Sequence, residues 1–185
     1  MKVQKPGATA LYPAPPVLVS CGRERPNVLT LAWAGTISSN PPSVSISVRP
    51  TRFSHKLIVD ASEFVVNLPR ADQVEIVDYC GHASGREVDK FQACGLTPVP
   101  ASKVGVPLVA ECPISLECKV THHLNMGVHD LFIGEVVAIQ ADESVLNERG
   151  QLDFQRAGLL AYVGGYYYEL GRLLGRHGDW RKAFD

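Results

Sequence analysis

Between Ser43 and Arg49, apolar and polar residues alternate strictly: Val44, Ile46 and Val48 against Ser43, Ser45, Ser47 and Arg49. A period of two is the signature of a half-buried strand, so this run predicts a strand whose outer face carries hydroxyls and ends in an arginine. The clearest second case sets Ile114, Leu116, Cys118, Val120 and His122 against Ser115, Glu117, Lys119, Thr121 and His123. The run LFIGEVVAIQA at 131–141 is apolar on both faces and predicts a central strand. PVLVSCG (16–22) and VLTLAWAG (28–35) flank the turn RERPN and predict a hairpin, and EFVVNLP (63–69) is a strand stopped by Pro69.

Helical signals are fewer. Ser54 stands where an N-cap would precede HKLIVDA. Val74, Ile76, Val77 and Tyr79 sit among acids and predict a helix within 70–81. The segment 81–95 reads as a loop with a helical turn or two, and 95–113 is irregular and punctuated by prolines. Gly164 and Gly165 interrupt AYVGGYYYELGRLLG. Residues 1–15 read as a mobile lead-in, and the polar residues 176–185 as a tail or partner-binding arm. At least six strands with short helices and no long βαβ alternation predict one mainly β domain, an antiparallel barrel, closed or nearly so, with helical decorations.

Length and charge narrow the function classes. A chain of 185 residues with 45 % hydrophobic residues can bury a sizeable core, and a net charge of −1 offers no electrostatic case for nucleic acid or a membrane surface. No run of eighteen apolar residues predicts a spanning helix, and the start MKVQKPGATALYPAPP has no continuous apolar stretch of the signal-peptide kind, so a cytoplasmic location is expected. Five cysteines without a CxxC pair read as buried free thiols in a reducing compartment; a metal site on Cys112, Cys118 and the histidines is the alternative.

The familiar catalytic motifs are absent: no GxGxxG after a strand, no P-loop, no HExxH, no GxSxG, and GHASG (81–85) has its serine one place too late for a nucleophile elbow. What remains is a group of anion-friendly residues. Ser43, Ser45 and Ser47 share a face with Arg49, and Arg52 and Ser54 follow at a predicted helix start, where unpaired N–H groups and the helix dipole favour an anion. Arginine adds charge-assisted hydrogen bonds to phosphate. The stretch therefore reads as a phosphate cradle, or else as a solvated strand face with arginines decorating a turn.

In five ordered blocks the sequence resembles the flavin reductase-like proteins of the FMN-binding split-barrel fold, within them the flavoredoxin-like branch. The blocks are NVLTLAWAGTISSNPPSVSISVRPTRFSHKLI (27–58), EFVVNLP (63–69), SGREVDKF (84–91), LECKV (116–120) and HDLFIGEVV (129–137), and together they cover roughly residues 11–175. The resemblance implies a six-stranded Greek-key split barrel, a homodimer, and FMN near the subunit interface. It implies that Trp33, Ala34, Gly35, Thr36, Ile37 and Ser38 run along the isoalloxazine ring. Ser47, Val48, Arg52 and Ser54 would hold the ribityl phosphate, Asn67 and Leu68 would touch the cofactor, and Ser84, Gly85 and Lys90 would close over it. His129 would lie near the reactive face or the dimer contact and is the candidate catalytic residue; where family members often carry an acid before this histidine, here Val128 precedes it and Asp130 follows. The implied activity is hydride transfer from NADH or NADPH to FMN. The alternatives are an FMN electron carrier reduced by a protein partner, and a split barrel that has lost its cofactor.

Overall fold

The computed structural model describes residues 1–179; the end of the predicted tail, 180–185, lies outside them. The chain runs β1 (Val17–Cys21), β2 (Asn27–Leu31), β3 (Ala34–Ser39), β4 (Pro42–Val48), α1 (Phe53–Ala61), β5 (Glu63–Leu68), α2 (Val74–His82) and α3 (Lys90–Ala93). It continues with β6 (Pro98–Val99), β7 (Leu108–Val109), β8 (Ile114–Asn125), β9 (Asp130–Ala141), β10 (Leu160–Val163) and β11 (Tyr166–Glu169). Seven strands form one antiparallel sheet in the order β2-β1-β5-β8-β9-β4-β3. Its two edge strands, β2 and β3, are consecutive in the chain and only residues 32–33 separate them. The sheet must therefore curl until its edges meet, and the backbone N–H of Ser47 donates to the Trp33 carbonyl at 3.0 Å beside that seam. The long return of β5 to pair with β1 gives the Greek-key connection.

The mainly β split-barrel expectation holds, with one strand more than the six the resemblance implied. The run 28–35 breaks at Ala32–Trp33 into β2 and β3, because the chain there crosses from one sheet edge to the other. Ser54 does not cap α1: Arg52 holds the N-cap position, and Ser54 lies inside the first turn, buried. The helix expected within 70–81 begins at Val74, after a 3-10 turn over Ala71–Gln73 whose Gln73 side chain accepts from the Arg70 N–H at 2.8 Å. The irregular segment 95–113 contains the small β6–β7 pair. Gly164 and Gly165 make the turn of the β10–β11 hairpin, with φ of 56° and 99° that other residues rarely adopt.

The interior follows the alternation of the strands. Val17, Val19 and Cys21 of β1 point into the barrel with Ile46, Val48, Phe64, Val66, Cys118 and Phe132. Leu18 points the other way and packs under α2 and α3 with Val77, Cys80 and Phe91. The central position expected of 131–141 holds, since β9 pairs with both β4 and β8. A methyl group on Gly134 of β9 would lie 2.7 Å from Phe64 Cζ and 3.0 Å from Cys118 Cβ. Phe64 is fully buried and cannot swing out. Gly134→Ala is expected to cost about 1–3 kcal/mol of overpacking, read as a lower urea midpoint at unchanged slope; an unchanged midpoint would show that the ring has room to yield.

One buried carboxylate pins the 101–108 segment to the sheet. Glu117 accepts from Ser102 N (2.9 Å), Ser102 Oγ (2.8 Å), Lys103 N (2.6 Å) and Gln140 Nε2 (2.9 Å). Burial alone would raise its pKa, but the hydrogen bonds from Gln140, Ser102 and Lys103 outweigh it and hold the carboxyl below the usual range. Its contribution to stability is therefore complete above the ordinary glutamate pKa and is lost as pH falls through the depressed folded value. Glu117→Gln is expected to lower Tm at pH 7 and to shrink the further loss on acidification; an acid limb as steep as that of the parent would contradict this.

Candidate functional site

The loop 49–52 that leaves β4 turns straight into α1, and the Arg52 N-cap has extended backbone with no side chain capping the first turn. The leading N–H groups of α1 therefore face outward without a side-chain acceptor. Against this helix start lies the segment after α2. Gly85 fits there because it has no side chain: a Cβ would lie 2.3 Å from Asn27 Oδ1 and 2.6 Å from Phe53 Cδ1. Arg25 holds the segment from behind, donating to the Gly85 carbonyl at 3.1 Å while its guanidinium lies 5.0 Å from the Phe53 ring centroid. Between the two elements is a pocket of about 300 Å³ whose charged lining is Arg49, Arg52, Arg86 and Lys90, with no carboxylate.

Each cation is placed by its surroundings. Lys90 is almost fully buried and donates to the Cys80 carbonyl at 2.7 Å. Burial, then the neighbouring Arg52, lowers its pKa. Arg86 donates to the Thr51 carbonyl at 3.0 Å. Ser54 Oγ accepts from Asn27 Nδ2 at 2.7 Å, which leaves its own proton for an acceptor in the pocket. Four cations, a hydroxyl and a helix start converging without a counter-ion suit a compact dianion such as a phosphate monoester.

The pocket continues into a groove. Arg49 and Gly81 are shared with a second depression of about 310 Å³, lined also by Tyr12, Trp33, His129, Tyr162 and Tyr167. Tyr12, Ala32, Trp33 and Ser47 connect that depression to an outer, more apolar one of about 720 Å³, walled on one side by residues 8–15. The His129 ring lies against Trp33 with centroids 4.7 Å apart, and Arg49 Nε donates to His129 Nε2 at 3.3 Å. That contact puts the proton of a neutral ring on Nδ1. Burial and the Arg49 charge both lower the His129 pKa, so the ring is neutral at pH 7.

The structure brings Arg52, Ser54, Ser84, Gly85 and Lys90 together around the cationic pocket. Trp33, Ala34 and Gly35 line the outer depression, whereas Thr36, Ile37 and Ser38 continue along β3 and line none of these pockets. Ser47 lies in the groove and not in the cradle. Val48 is fully buried in the barrel core, because the β4 alternation turns it inward. Asn67 is displaced from the expected role most completely. It is fully buried, donates to Leu18 O (2.9 Å) and Ser20 Oγ (3.0 Å), and accepts from Val109 N (3.0 Å) and Ser115 Oγ (2.8 Å). With every polar atom bonded inside the fold, its side chain has nothing left for a cofactor. Leu68 is half-buried among apolar side chains. Residues 8–15, expected as a mobile lead-in, wall the groove, and Ala14 pairs with Tyr162.

Sequence reasoning missed Arg86, Thr51, Asn27 and Gly81. Arg86 stands beside the Ser84–Gly85 pair, and its charge was the available signal. The other three carry none. The alternative metal site on Cys112, Cys118 and the histidines does not form: Cys112 packs outside the barrel and Cys118 inside it. The metal-ligand types that do converge among the described residues are His55, His123 and Asp130. Asp130 turns away from His129, and its Oδ2 lies 2.7 Å from both His55 Nε2 and His123 Nε2 while Oδ1 accepts from Asn125 at 3.0 Å. The hydrogen bonds from His123 and then His55 hold its carboxyl below the usual range against the effect of burial.

A seven-stranded antiparallel sheet curled until its edge strands meet defines a split-barrel protein, here with a cationic pocket at the start of its first helix. The chain belongs to the flavin reductase-like family, whose domain model matches residues 9–171. It is similar to the flavoredoxin of Desulfovibrio vulgaris (Miyazaki F), with 34 % identity, a TM-score of 0.90 and coverage of 97 % of this chain and 98 % of that one. The flavoredoxin from Methanosarcina acetivorans superposes with a TM-score of 0.92 at 25 % identity over 100 % of both chains. An FMN-binding protein from Thermus thermophilus, solved with bound 1-cyclohex-2-enone, gives 0.76 at 31 % identity over 91 % of this chain and 93 % of that one.

Proposed function

We propose that the protein binds FMN, with the ribityl phosphate in the cationic cradle and the ring in the groove beside Trp33, and works as an NAD(P)H:flavin oxidoreductase. The observation that carries this reading is the ring of Arg49, Arg52, Arg86 and Lys90 with no acid among them, opening into an aromatic-lined groove. Bound there, FMN supplies the hydride and electron chemistry. The residues do the rest. The four cations and the first turn of α1 neutralise the phosphate, and Gly85 lets the covering segment approach. Backbone groups of Trp33, Ala34 and Gly35 face the ring edge, and Trp33 and Tyr12 exclude water from it. Neutral His129 offers a polar contact at the groove wall without adding charge. The outer depression has room for the nicotinamide of NADH or NADPH over the ring. No side chain has to move a proton for hydride transfer between two bound rings.

A second reading is a flavoredoxin-type electron carrier reduced by a protein partner. Trp33, exposed on the groove wall, and the exposed Ile37 farther along β3 favour it, as does the similarity to two flavoredoxins. Mixing the FMN-loaded protein with NADH and then NADPH without oxygen, and following the flavin's visible absorption, separates the two. Bleaching by either nicotinamide supports the reductase; bound flavin that stays yellow overturns it in favour of the carrier. No described helix is long and apolar enough to cross a membrane. A cytoplasmic setting and a homodimer belong to the proposal, with the exposed Leu124, Met126 and Val128 at the β8–β9 turn covered by the second copy.

A further inference from the structure

Two cysteines flank the segment that closes the cradle. Cys80 lies near the end of α2, Cys94 directly follows α3, and their Sγ atoms are 3.8 Å apart. Between them the chain carries Gly81, Ala83, Ser84, Gly85, Arg86 and Lys90, all of which line the cationic pocket. Cys80 lines it as well, and its carbonyl holds the Lys90 ammonium. The remaining cysteines, Cys21, Cys112 and Cys118, are buried elsewhere in the barrel or under α2.

We infer that Cys80 and Cys94 form a reversible disulfide, made by exchange with a low-molecular-weight disulfide, that fastens residues 81–93 over the cradle and slows release of the cofactor. The consequence for the cofactor rests on the FMN reading above; the disulfide itself does not. The sulfurs stand 3.8 Å apart, so a bond of about 2.05 Å requires them to close by roughly 1.8 Å. Cys94 is half-buried and reachable, so it reacts first. Its thiolate attacks the small disulfide RSSR, forming a Cys94–SR bond and expelling one thiolate, which takes up the proton Cys94 gave to water. Cys80 then loses its proton to water and attacks Cys94 Sγ, forming the Cys80–Cys94 bond and expelling the second thiolate. Two protein thiols and RSSR become one protein disulfide and two RSH, and two electrons pass to the oxidant. The order follows from the environment: burial, then the neighbouring Cys94, pushes the Cys80 thiol up to about 12, which makes it the resolving partner.

Anchoring both ends of the segment removes the freedom it gains when the cradle opens. The segment is then pre-organised for the phosphate, and the coupling is reciprocal: whatever factor the disulfide adds to FMN affinity, FMN adds to disulfide formation. The test equilibrates the full chain, with and without FMN, in buffers of reduced and oxidised glutathione. Expected are a linked Cys80–Cys94 peptide by mass mapping, slower hydrogen exchange of the 81–93 amides, and FMN release slowed about fivefold or more. The glutathione ratio at half-oxidation should shift with FMN by the same factor as the affinity. Cys94→Ser should keep the release rate of the reduced parent under every buffer. The inference is overturned if oxidising buffers leave the two thiols free or pair them elsewhere, or if the linked protein shows unchanged exchange and unchanged release. A chain that takes up no FMN in either state refutes the cofactor reading, and the linkage and exchange data still decide the disulfide.

Discussion

Arg52→Ala weakens FMN binding by about 1.5–3 kcal/mol, roughly ten- to a hundredfold, and leaves riboflavin binding nearly as it was. Of the cations around the cradle, Arg49 is engaged by His129, Arg86 by the Thr51 carbonyl and Lys90 by the Cys80 carbonyl. Arg52 sits at the N-cap of α1, and among the described residues no hydrogen bond occupies its guanidinium. It is thus the group with most to give a phosphate and least to do for the fold. Riboflavin shares the ring and ribityl chain with FMN and lacks only the phosphate, so comparing the two isolates the contact. Fluorescence titration of both flavins reads it. Equal losses for FMN and riboflavin would remove Arg52 from the phosphate site, and an FMN deficit that does not shrink at high salt would argue against an exposed charge contact.

Asn67→Ala is expected to cost the fold about 3–5 kcal/mol while changing the FMN affinity of the folded protein little. The Asn67 amide ties β1, β5, β7 and β8 at one buried point. Alanine leaves the Val109 N–H and the Ser115 hydroxyl without their acceptor in a place water does not reach, and it opens a cavity beside them. The loss should appear as a lower urea midpoint. A variant of parent stability that binds both flavins weakly would restore the direct contact that the family resemblance implies.

The strands were legible because the sheet has two distinct faces, and each face writes itself into the sequence at a period of two. β4 and β8 are found this way, and β9 as a run apolar on both faces. In β4 the faces match the structure, since Ile46 and Val48 are buried while Ser45 and Ser47 open to the groove. In β8 the polar Ser115 and Glu117 are buried as well, and a register shift between Val120 and His122 sets His123 opposite Phe132. The crossing at Ala32–Trp33 was not legible: an apolar run gives no sign that its residues change sheet edge midway. Helix starts misled for a related reason. Ser54 has the chemistry of a cap, yet the tertiary contact from Asn27 draws its hydroxyl into the first turn of α1 and leaves the cap to Arg52. Residues read by charge or by the Ser-Gly pair converge on one pocket. Asn67 does not, because the resemblance transfers a position and says nothing of how many partners that amide already has. Asn27, Thr51 and Gly81 enter the cradle only through the folding of distant segments against each other, which no local pattern records.

The central claim is that one bound flavin spans the groove with its phosphate in the cradle. A crystal structure of the protein grown with FMN tests it most directly. The expected result is a phosphate within hydrogen-bonding distance of the Arg52 guanidinium, Ser54 Oγ and the first N–H groups of α1, with the ring beside Trp33. A flavin whose phosphate lies in solvent, or whose ring occupies the space between Arg52 and Lys90, would contradict it.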